Sequence, residues 1–413
     1  MKCLELSRYT LTIGAAAAIL AGCGGGTAPI APSAPVQQAV RHGGAASPIQ
    51  NVIVVIQQDR SFDDLFAGYP GANAPTKGLT SNGKYLSLRP MSLEKTPRCT
   101  SDLFGGFKVA YDGGKMDGWN LLDSKAPLCP YTRVERGEVR PYWDLAKRFA
   151  LADEMFSSTH FGDFANSIYL VAGTTKLARR TYAVGPPTRE PWGCDAPPGT
   201  QTPILKNGRV DGLGPFPCFD QFPSVANLLD TANVSWRFYD GGKQNDGIPF
   251  NAFDALKHVR EGKDWQRDMS TPASKVLSDI ANGKLASVSW VLSPLADSDF
   301  LGSGGGPKWV NSIVAATQKS SYWKRAAVVV IWTNPENGNF YDNVPPPQLD
   351  PMGLGFRVPM IVVSPYAKHG YVSHTEYEFG SILKFIEENW DLGSLGATDV
   401  RANSIGDVFS FSR

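Results

Sequence analysis

The sequence predicts an α/β protein with a mostly parallel central sheet covered by helices on both faces. Short β-branched runs bounded by turn residues recur at 51–56, 234–239, 288–292, 326–332 and 358–363, and such runs are buried strands. Helical patterns fall between them, the alternation that builds α/β layers. With 42% hydrophobic and 19% charged residues in a chain of 413, there is apolar material for a large core.

Taken in order, the first residues are processing information rather than fold. A basic start (Lys2, Arg8) and an apolar run over 11–20 lead into Leu20-Ala21-Gly22-Cys23, the pattern of a bacterial lipoprotein signal. Cleavage before Cys23 would leave a thiol that accepts lipid and anchors the mature chain. This predicts a signal peptide over 1–22, a Gly/Ala/Pro-rich tether over 23–46 and one domain over 47–413, held in a bacterial cell envelope at the outer membrane or periplasmic face. After the first strand, residues 67–142 and 182–222 are too rich in Gly and Pro for long regular elements, and are expected to be loop-rich insertions at the sheet edge that carries the site. Leu145, Phe149 and Met155 lie near one face of a helical pattern over 143–155. Near the C-terminus Phe379, Ile382, Leu383 and Ile386 repeat at i, i+3, i+4 and i+7, a helix with one apolar face. No internal repeat and no second linker divide the chain.

Six cysteines narrow the compartment. Cys3 leaves with the signal and Cys23 takes the lipid, so Cys99, Cys129, Cys194 and Cys218 remain. An even number in an exported chain predicts two disulfides, paired locally as Cys99–Cys129 and Cys194–Cys218, because each pair brackets a Gly/Pro-rich loop. No CxxC spacing occurs and only five histidines exist, which argues against a zinc site built from these cysteines. A formal charge of +1 without basic runs lacks the footprint of nucleic-acid binding.

The segment following the first strand, Gln58-Asp-Arg-Ser-Phe-Asp63, resembles the bacterial phosphoesterase family of phospholipases C and acid phosphatases, in which a strand runs into Glu-Asn-Arg-Ser/Thr-Phe-Asp. Lys115-Met-Asp-Gly118, the Tyr-Leu-Val-Ala-Gly-Thr segment from Tyr169, Ser289-Trp-Val291, Phe340-Tyr-Asp342 with Val344-Pro-Pro-Pro347, and Phe356-Arg-Val-Pro-Met360 resemble it too, in the family's order. The resemblance spans roughly residues 50 to 395. It implies an alkaline-phosphatase-like α/β/α sandwich and hydrolysis of phosphate mono- or diesters.

Phosphoryl transfer to a protein hydroxyl needs an activated Ser or Thr, a cation that neutralises phosphate oxygens, and groups that stabilise the leaving oxygen. The positions at which the resemblance implies these groups are substituted. Its metal-binding Glu-Asn pair becomes Gln58-Asp59; the nucleophile position holds Asp163, or Phe164 if shifted by one, and Ser167 stands where a His is common. The Asp-Asp pair after the late strand becomes Thr333-Asn334 in a longer turn, where Glu336, folded back, would be a substitute ligand. Phe300 and Asn343 occupy two further His positions. Of the histidines, His42 lies in the tether, and His160, His258, His369 and His374 read as structural or surface residues. Arg60, Phe62, Asp63, Lys115 and Asp117 are retained, and read as an Arg–carboxylate network pinning loops.

The expectation is therefore a lipid-anchored pseudoenzyme, attached to the membrane through Cys23. Its cleft would take a small phosphate-containing ligand or a protein partner, without nucleic acid, without a tightly held cofactor, and with at most a weakly bound divalent metal. One alternative is an active phosphoesterase that uses Asp163 as nucleophile, forming an aspartyl phosphate, or an altered metal site of Gln58, Asp59 and Asn334. Another is a surface binding or structural protein.

Overall fold

The computed structural model describes residues 47–95, 99, 105–241, 250–300, 304–333 and 339–411. The signal, the tether and Cys23 lie outside the described residues, as do Asn334 and Glu336.

Eight strands form the central sheet: β1 (Asn51–Gln57), β2 (Ala150–Ala152), β3 (Trp236–Tyr239), β4 (Met269–Ser270), β5 (Val288–Leu292), β6 (Ala326–Trp332), β7 (Met360–Val363) and β8 (Tyr371–Ser373), in the order β4-β3-β5-β1-β6-β7-β2-β8. β1 is the middle of the core. It pairs in parallel with β5 on one side and β6 on the other, and every residue of all three strands is buried, as their unbroken apolar runs require. β7 alone runs against the others, antiparallel to both β6 and β2. Among the described residues no helix lies between β6 and β7, so the chain re-enters the sheet from the end at which it left; a parallel return would need a crossover.

Helices cover both faces, giving the α/β/α sandwich. Those at Arg140–Arg148, Lys275–Ala281 and Gly306–Lys319 pack together in one layer; Asp163–Ala172, Val225–Thr231 and Phe379–Asn389 form the other. Among the described residues no helix is long and apolar enough to cross a membrane.

Two expectations need correction. The helical pattern over 143–155 is a helix only to Arg148; Phe149 turns extended, and the fully buried 150–152 is strand β2. A short apolar run fits either state, and pairing with β7 and β8 decides it. The run at 358–363 enters the sheet only at Met360, and the run at 234–239 only at Trp236.

The Gly/Pro-rich insertions hold short elements. Residues 176–213 include a four-stranded antiparallel sheet, and residues around 67–134 wrap a second small core of Phe107, Met116, Trp119, Tyr131, Tyr341 and Phe356. Cys99–Cys129 and Cys194–Cys218 are disulfides with Cα–Cα distances of 5.4 and 4.5 Å, the local pairing expected. Two motif glycines have steric reasons. A Cβ on Gly118 would stand 1.7 Å from the Val109 carbonyl, and Gly173 ends the Asp163–Ala172 helix at φ 65°.

Candidate functional site

The site lies at the C-terminal ends of β1 and β6, where parallel strands open toward their connecting loops. Gln57, the last residue of β1, is fully buried and does three jobs. Its carbonyl accepts the Thr333 N–H (3.0 Å), its Nε2 donates to Ser293 Oγ (3.0 Å) and the Asp297 carbonyl (3.2 Å), and its Oε1 accepts the Asp299 N–H (2.9 Å). It therefore ties the turns after β5 and β6 to β1. Sequence reasoning missed it, although a polar residue closing an apolar parallel strand is the available signal.

Gln58 and Asp59 follow, both buried. The Gln58 Oε1 has no hydrogen-bond partner among the described residues. Asp59 sits at φ 61°, the left-handed region that Asp and Asn tolerate best among non-glycine residues. Asp59 thus keeps a turn off the strand that the Asn implied there by the resemblance would also tolerate. Ser61 then caps the Phe62–Phe66 helix, accepting the Asp64 N–H at 3.2 Å.

Asp163 opens the Asp163–Ala172 helix, and its Oδ1 accepts a hydrogen bond from the Thr333 hydroxyl at 3.4 Å. Phe164 points instead into the core, against Trp192 and Phe250. The preceding turn is held by Asn166, another residue missed from sequence: its Nδ2 donates to the carbonyls of Thr159 (2.9 Å) and Phe161 (3.2 Å), and its Oδ1 accepts the Thr159 N–H (3.1 Å). Gln57, Thr333 and Asp163 are thus joined around one strand end, with Gln58 and Asp59 next in the chain.

The surrounding motifs are scaffold. Arg60 is fully buried, paired with Asp64 (3.1 Å), bonded to the carbonyls of Leu93 and Asp299, and stacked on Phe340. Burial pushes Asp64 up to about 6, against the pull of Arg60. Arg357, equally buried, joins Asp342 (2.8 Å), Asp63 (3.3 Å), Asn343 Oδ1 (2.7 Å) and the carbonyls of Asn73 and Asp153. Burial raises both Asp63 and Asp342, which Arg357 partly offsets. Lys115 departs from the expected network, since it pairs with Asp112 at the exposed surface (2.7 Å) and pins no buried loop.

The substituted histidine positions have been absorbed into packing. Asn343 links Asp63, Asn73 and Arg357. Phe300 is buried beside Asp299, whose Oδ2 accepts from Tyr142 (2.9 Å) and Trp332 (2.8 Å). Ser167 is buried on its helix. Among the histidines, His258 meets Ser224 Oγ (3.1 Å), and His374 meets the buried Asp153 at the surface (2.9 Å).

His160 is stacked on Phe107 and meets Phe161 at a tilt, joining the 105–111 helix to the turn before Asp163. Burial, then Lys108, lowers its pKa from 6.5 to about 4. The folded state therefore binds fewer protons than the unfolded chain between these values. Stability from neutral His160 is complete above pH 6.5 and is lost as pH falls toward 4, by about 3 kcal/mol. Denaturant unfolding of wild type and His160→Asn from pH 7 to 4 should show the wild-type advantage shrinking by roughly this amount; a constant difference would contradict a neutral buried imidazole.

An α/β/α sandwich with a loop-lined site at the ends of β1 and β6 defines the class of α/β proteins that carry their sites on the loops after parallel strands. The chain belongs to the Phosphoesterase family, whose sequence profile matches residues 49–393. It is 25% identical over 433 aligned positions to a hemolytic phospholipase C of Pseudomonas aeruginosa, covering 89% of this chain and 56% of that protein. Phospholipase C A of Mycobacterium tuberculosis is 23% identical, with 89% of this chain and 78% of that protein covered. Against the Pseudomonas relative, the chain spans little more than half the length. Among solved structures, a phosphonate monoester hydrolase of Agrobacterium radiobacter aligns with a TM-score of 0.42 at 8% identity, covering 88% of this chain and 78% of that one.

The oxygen donors at the site can be tested against a metal. Gln58 Oε1, the Asp59 carboxylate and the Thr333 hydroxyl are all oxygen donors, the kind a hard divalent cation takes, and the buried Gln58 Oε1, unbonded among the described residues, fits such a role. Neutral amide and hydroxyl oxygens hold it more weakly than carboxylates would.

Proposed function

We propose that this chain is an exported, lipid-anchored member of the family whose cleft binds a phosphate-bearing ligand but hydrolyses it at background rates. The observation that carries this reading is the carboxylate of Asp163 against Thr333, in the turn where the resemblance implies a hydroxyl nucleophile. A carboxylate repels an approaching phosphate unless a cation intervenes. A divalent ion on Gln58, Asp59 and Thr333 would supply that neutralisation when bound. Arg60 and Arg357 do not, being committed to buried carboxylates and carbonyls. The phospholipase C relatives support a phosphate ester of lipid type as the ligand class.

Calorimetric titration with Mg²⁺ or Mn²⁺ should give weak affinity, with Kd of about 10⁻⁴–10⁻³ M, weakened further by Asp59→Asn. Submicromolar binding would contradict the reading. Attachment through Cys23 is tested separately by palmitate labelling: label on the wild type and none on Cys23→Ser is expected, and an unlabelled wild type would refute it.

A second reading is favoured by the same contact. The Thr333 hydroxyl orients the Asp163 carboxylate, as a carboxylate nucleophile forming an aspartyl phosphate would need. Acid-stable, hydroxylamine-sensitive phosphate on wild type but not on Asp163→Asn would support it.

A further inference from the structure

Of the two disulfides, Cys99–Cys129 is tied to residues 339–341, which follow the turn after β6. The tie has two points. The Cys99 N–H donates to Asn339 Oδ1 at 2.9 Å, and the carbonyl of Pro130, next to Cys129, accepts the Tyr341 N–H at 3.0 Å. Tyr341 also stacks on Tyr131, with ring centroids 5.4 Å apart. From there the hold passes to the end of β1, because the Tyr341 carbonyl accepts from Ser61 Oγ at 2.8 Å and Ser61 caps the helix that follows Gln58 and Asp59. The S–S bond therefore joins two segments that together fix how the chain returns from β6 and how the helix after β1 begins.

The two cysteines of this bond differ in access. Cys99 is 1% exposed, whereas Cys129 is half-buried and lines a surface cavity of about 470 Å³ with Met91, Leu128 and Thr132. Two exposed cations, Arg89 and Lys125, line the same cavity. A hydrogen bond to the Leu128 carbonyl (3.0 Å) places the Arg89 guanidinium beside Cys129. Asp123, the one carboxylate of this turn, accepts the Lys125 N–H (2.8 Å) and does not line the cavity. A thiol attacks a disulfide as its thiolate, so positive charge beside the attacked sulfur favours both the approach and the negative charge carried through the exchange. Cys194 and Cys218 are half-buried too, so exposure does not separate the two bonds. Charge does: Asp195, paired with Arg260, follows Cys194, and Asp220 lies two residues after Cys218.

We propose that Cys99–Cys129 is a thiol-operated clamp on the site: a dithiol reductant enters the cavity beside Arg89 and Lys125, opens the bond and frees residues 339–341. Its thiolate forms an S–S bond to Cys129 Sγ while the Cys99–Cys129 bond breaks, and Cys99 leaves with the electron pair and takes up a proton. The second thiolate of the reductant then attacks the reductant's own sulfur in this mixed disulfide. Cys129 leaves and is protonated, and the reductant departs as a disulfide. Two electrons reach the protein and two thiols remain on it. The clamp requires neither metal nor turnover at the β1–β6 site, nor lipid on Cys23.

The test uses the full chain with Cys3→Ser and Cys23→Ser, treated with millimolar dithiothreitol without denaturant, trapped with iodoacetamide and mapped by mass spectrometry. Cys99 and Cys129 should be alkylated about 10-fold faster than Cys194 and Cys218, and Arg89→Glu with Lys125→Glu should slow their opening by roughly 10-fold. In protein reduced at this bond alone, hydrogen exchange should quicken in peptides covering Tyr341 and the Asp64 amide that Ser61 caps, while β1 stays protected. Cys99→Ala with Cys129→Ala should reproduce that pattern without reductant. Opening of Cys194–Cys218 first or at the same rate, opening indifferent to the charge reversal, or unchanged exchange at Tyr341 would each overturn the proposal. Loss of protection in β1 in step with Tyr341 would also overturn it, marking the bond as a staple of the whole fold.

Discussion

Replacing Arg357 by Met is expected to cost about 3–5 kcal/mol of folding stability. The guanidinium is fully buried and serves two buried carboxylates, Asp63 and Asp342, together with the carbonyls of Asn73 and Asp153. Without it, two negative charges lie together in the interior and two carbonyls lose their donor. Burial already raises both carboxyls, so the variant should be relatively more stable at mildly acidic pH, where Asp63 and Asp342 can take up protons. Urea unfolding at pH 7 and pH 5 measures this. A loss under 1 kcal/mol at pH 7 would show that the network is not the clamp between the first helix and the late turn.

Arg60→Met should be comparably severe, again about 3–5 kcal/mol, but its partner makes the outcome different. Asp64 takes its one side-chain hydrogen bond among the described residues from Arg60. Removing the pair together, as Arg60→Met with Asp64→Leu, leaves the buried Asp299 carboxylate without the charge of Arg60 but still hydrogen-bonded by Tyr142 and Trp332, and should recover part of the loss, as replacement of a buried ion pair by apolar residues does. The same strategy cannot work at Arg357, which answers two carboxylates. Chemical unfolding of the single and double variants checks it. A double variant no more stable than Arg60→Met would mean that the bonds to the Leu93 and Asp299 carbonyls carry the cost.

These two networks explain why the motifs were legible while their roles were not. The apolar runs of β1, β5 and β6 declare themselves because a parallel strand buried on both faces must be apolar along its length. Phe340-Tyr-Asp342 and Phe356-Arg-Val-Pro-Met360 stand out in the chain, yet only the fold reveals that Asp342 and Arg357 meet. The expected Arg–carboxylate network exists with other partners than sequence proximity suggests, since Asp63 turns to Arg357 while Arg60 takes Asp64. Residues 149–152 were illegible for a different reason: four apolar residues carry no period, and their strand state is set by β7 and β8. At the site, the substitutions could be named from the motifs, whereas the pairing of Thr333 with Asp163 and the bracing by Gln57 and Asn166 are products of tertiary placement.

The proposal that the β1–β6 site keeps the family's scaffold without its chemistry rests on Asp163 standing against Thr333. Its most direct test is the turnover of a chromogenic phosphate monoester and a phosphodiester by purified wild type and Asp163→Ser, with and without millimolar Mg²⁺ or Mn²⁺. Wild type should stay at the uncatalysed rate with either metal, and Asp163→Ser should not rescue it, because a hydroxyl alone brings no tightly held cation to the phosphate. Metal-dependent turnover by wild type that Asp163→Ala abolishes would contradict the claim and establish Asp163 as the working nucleophile.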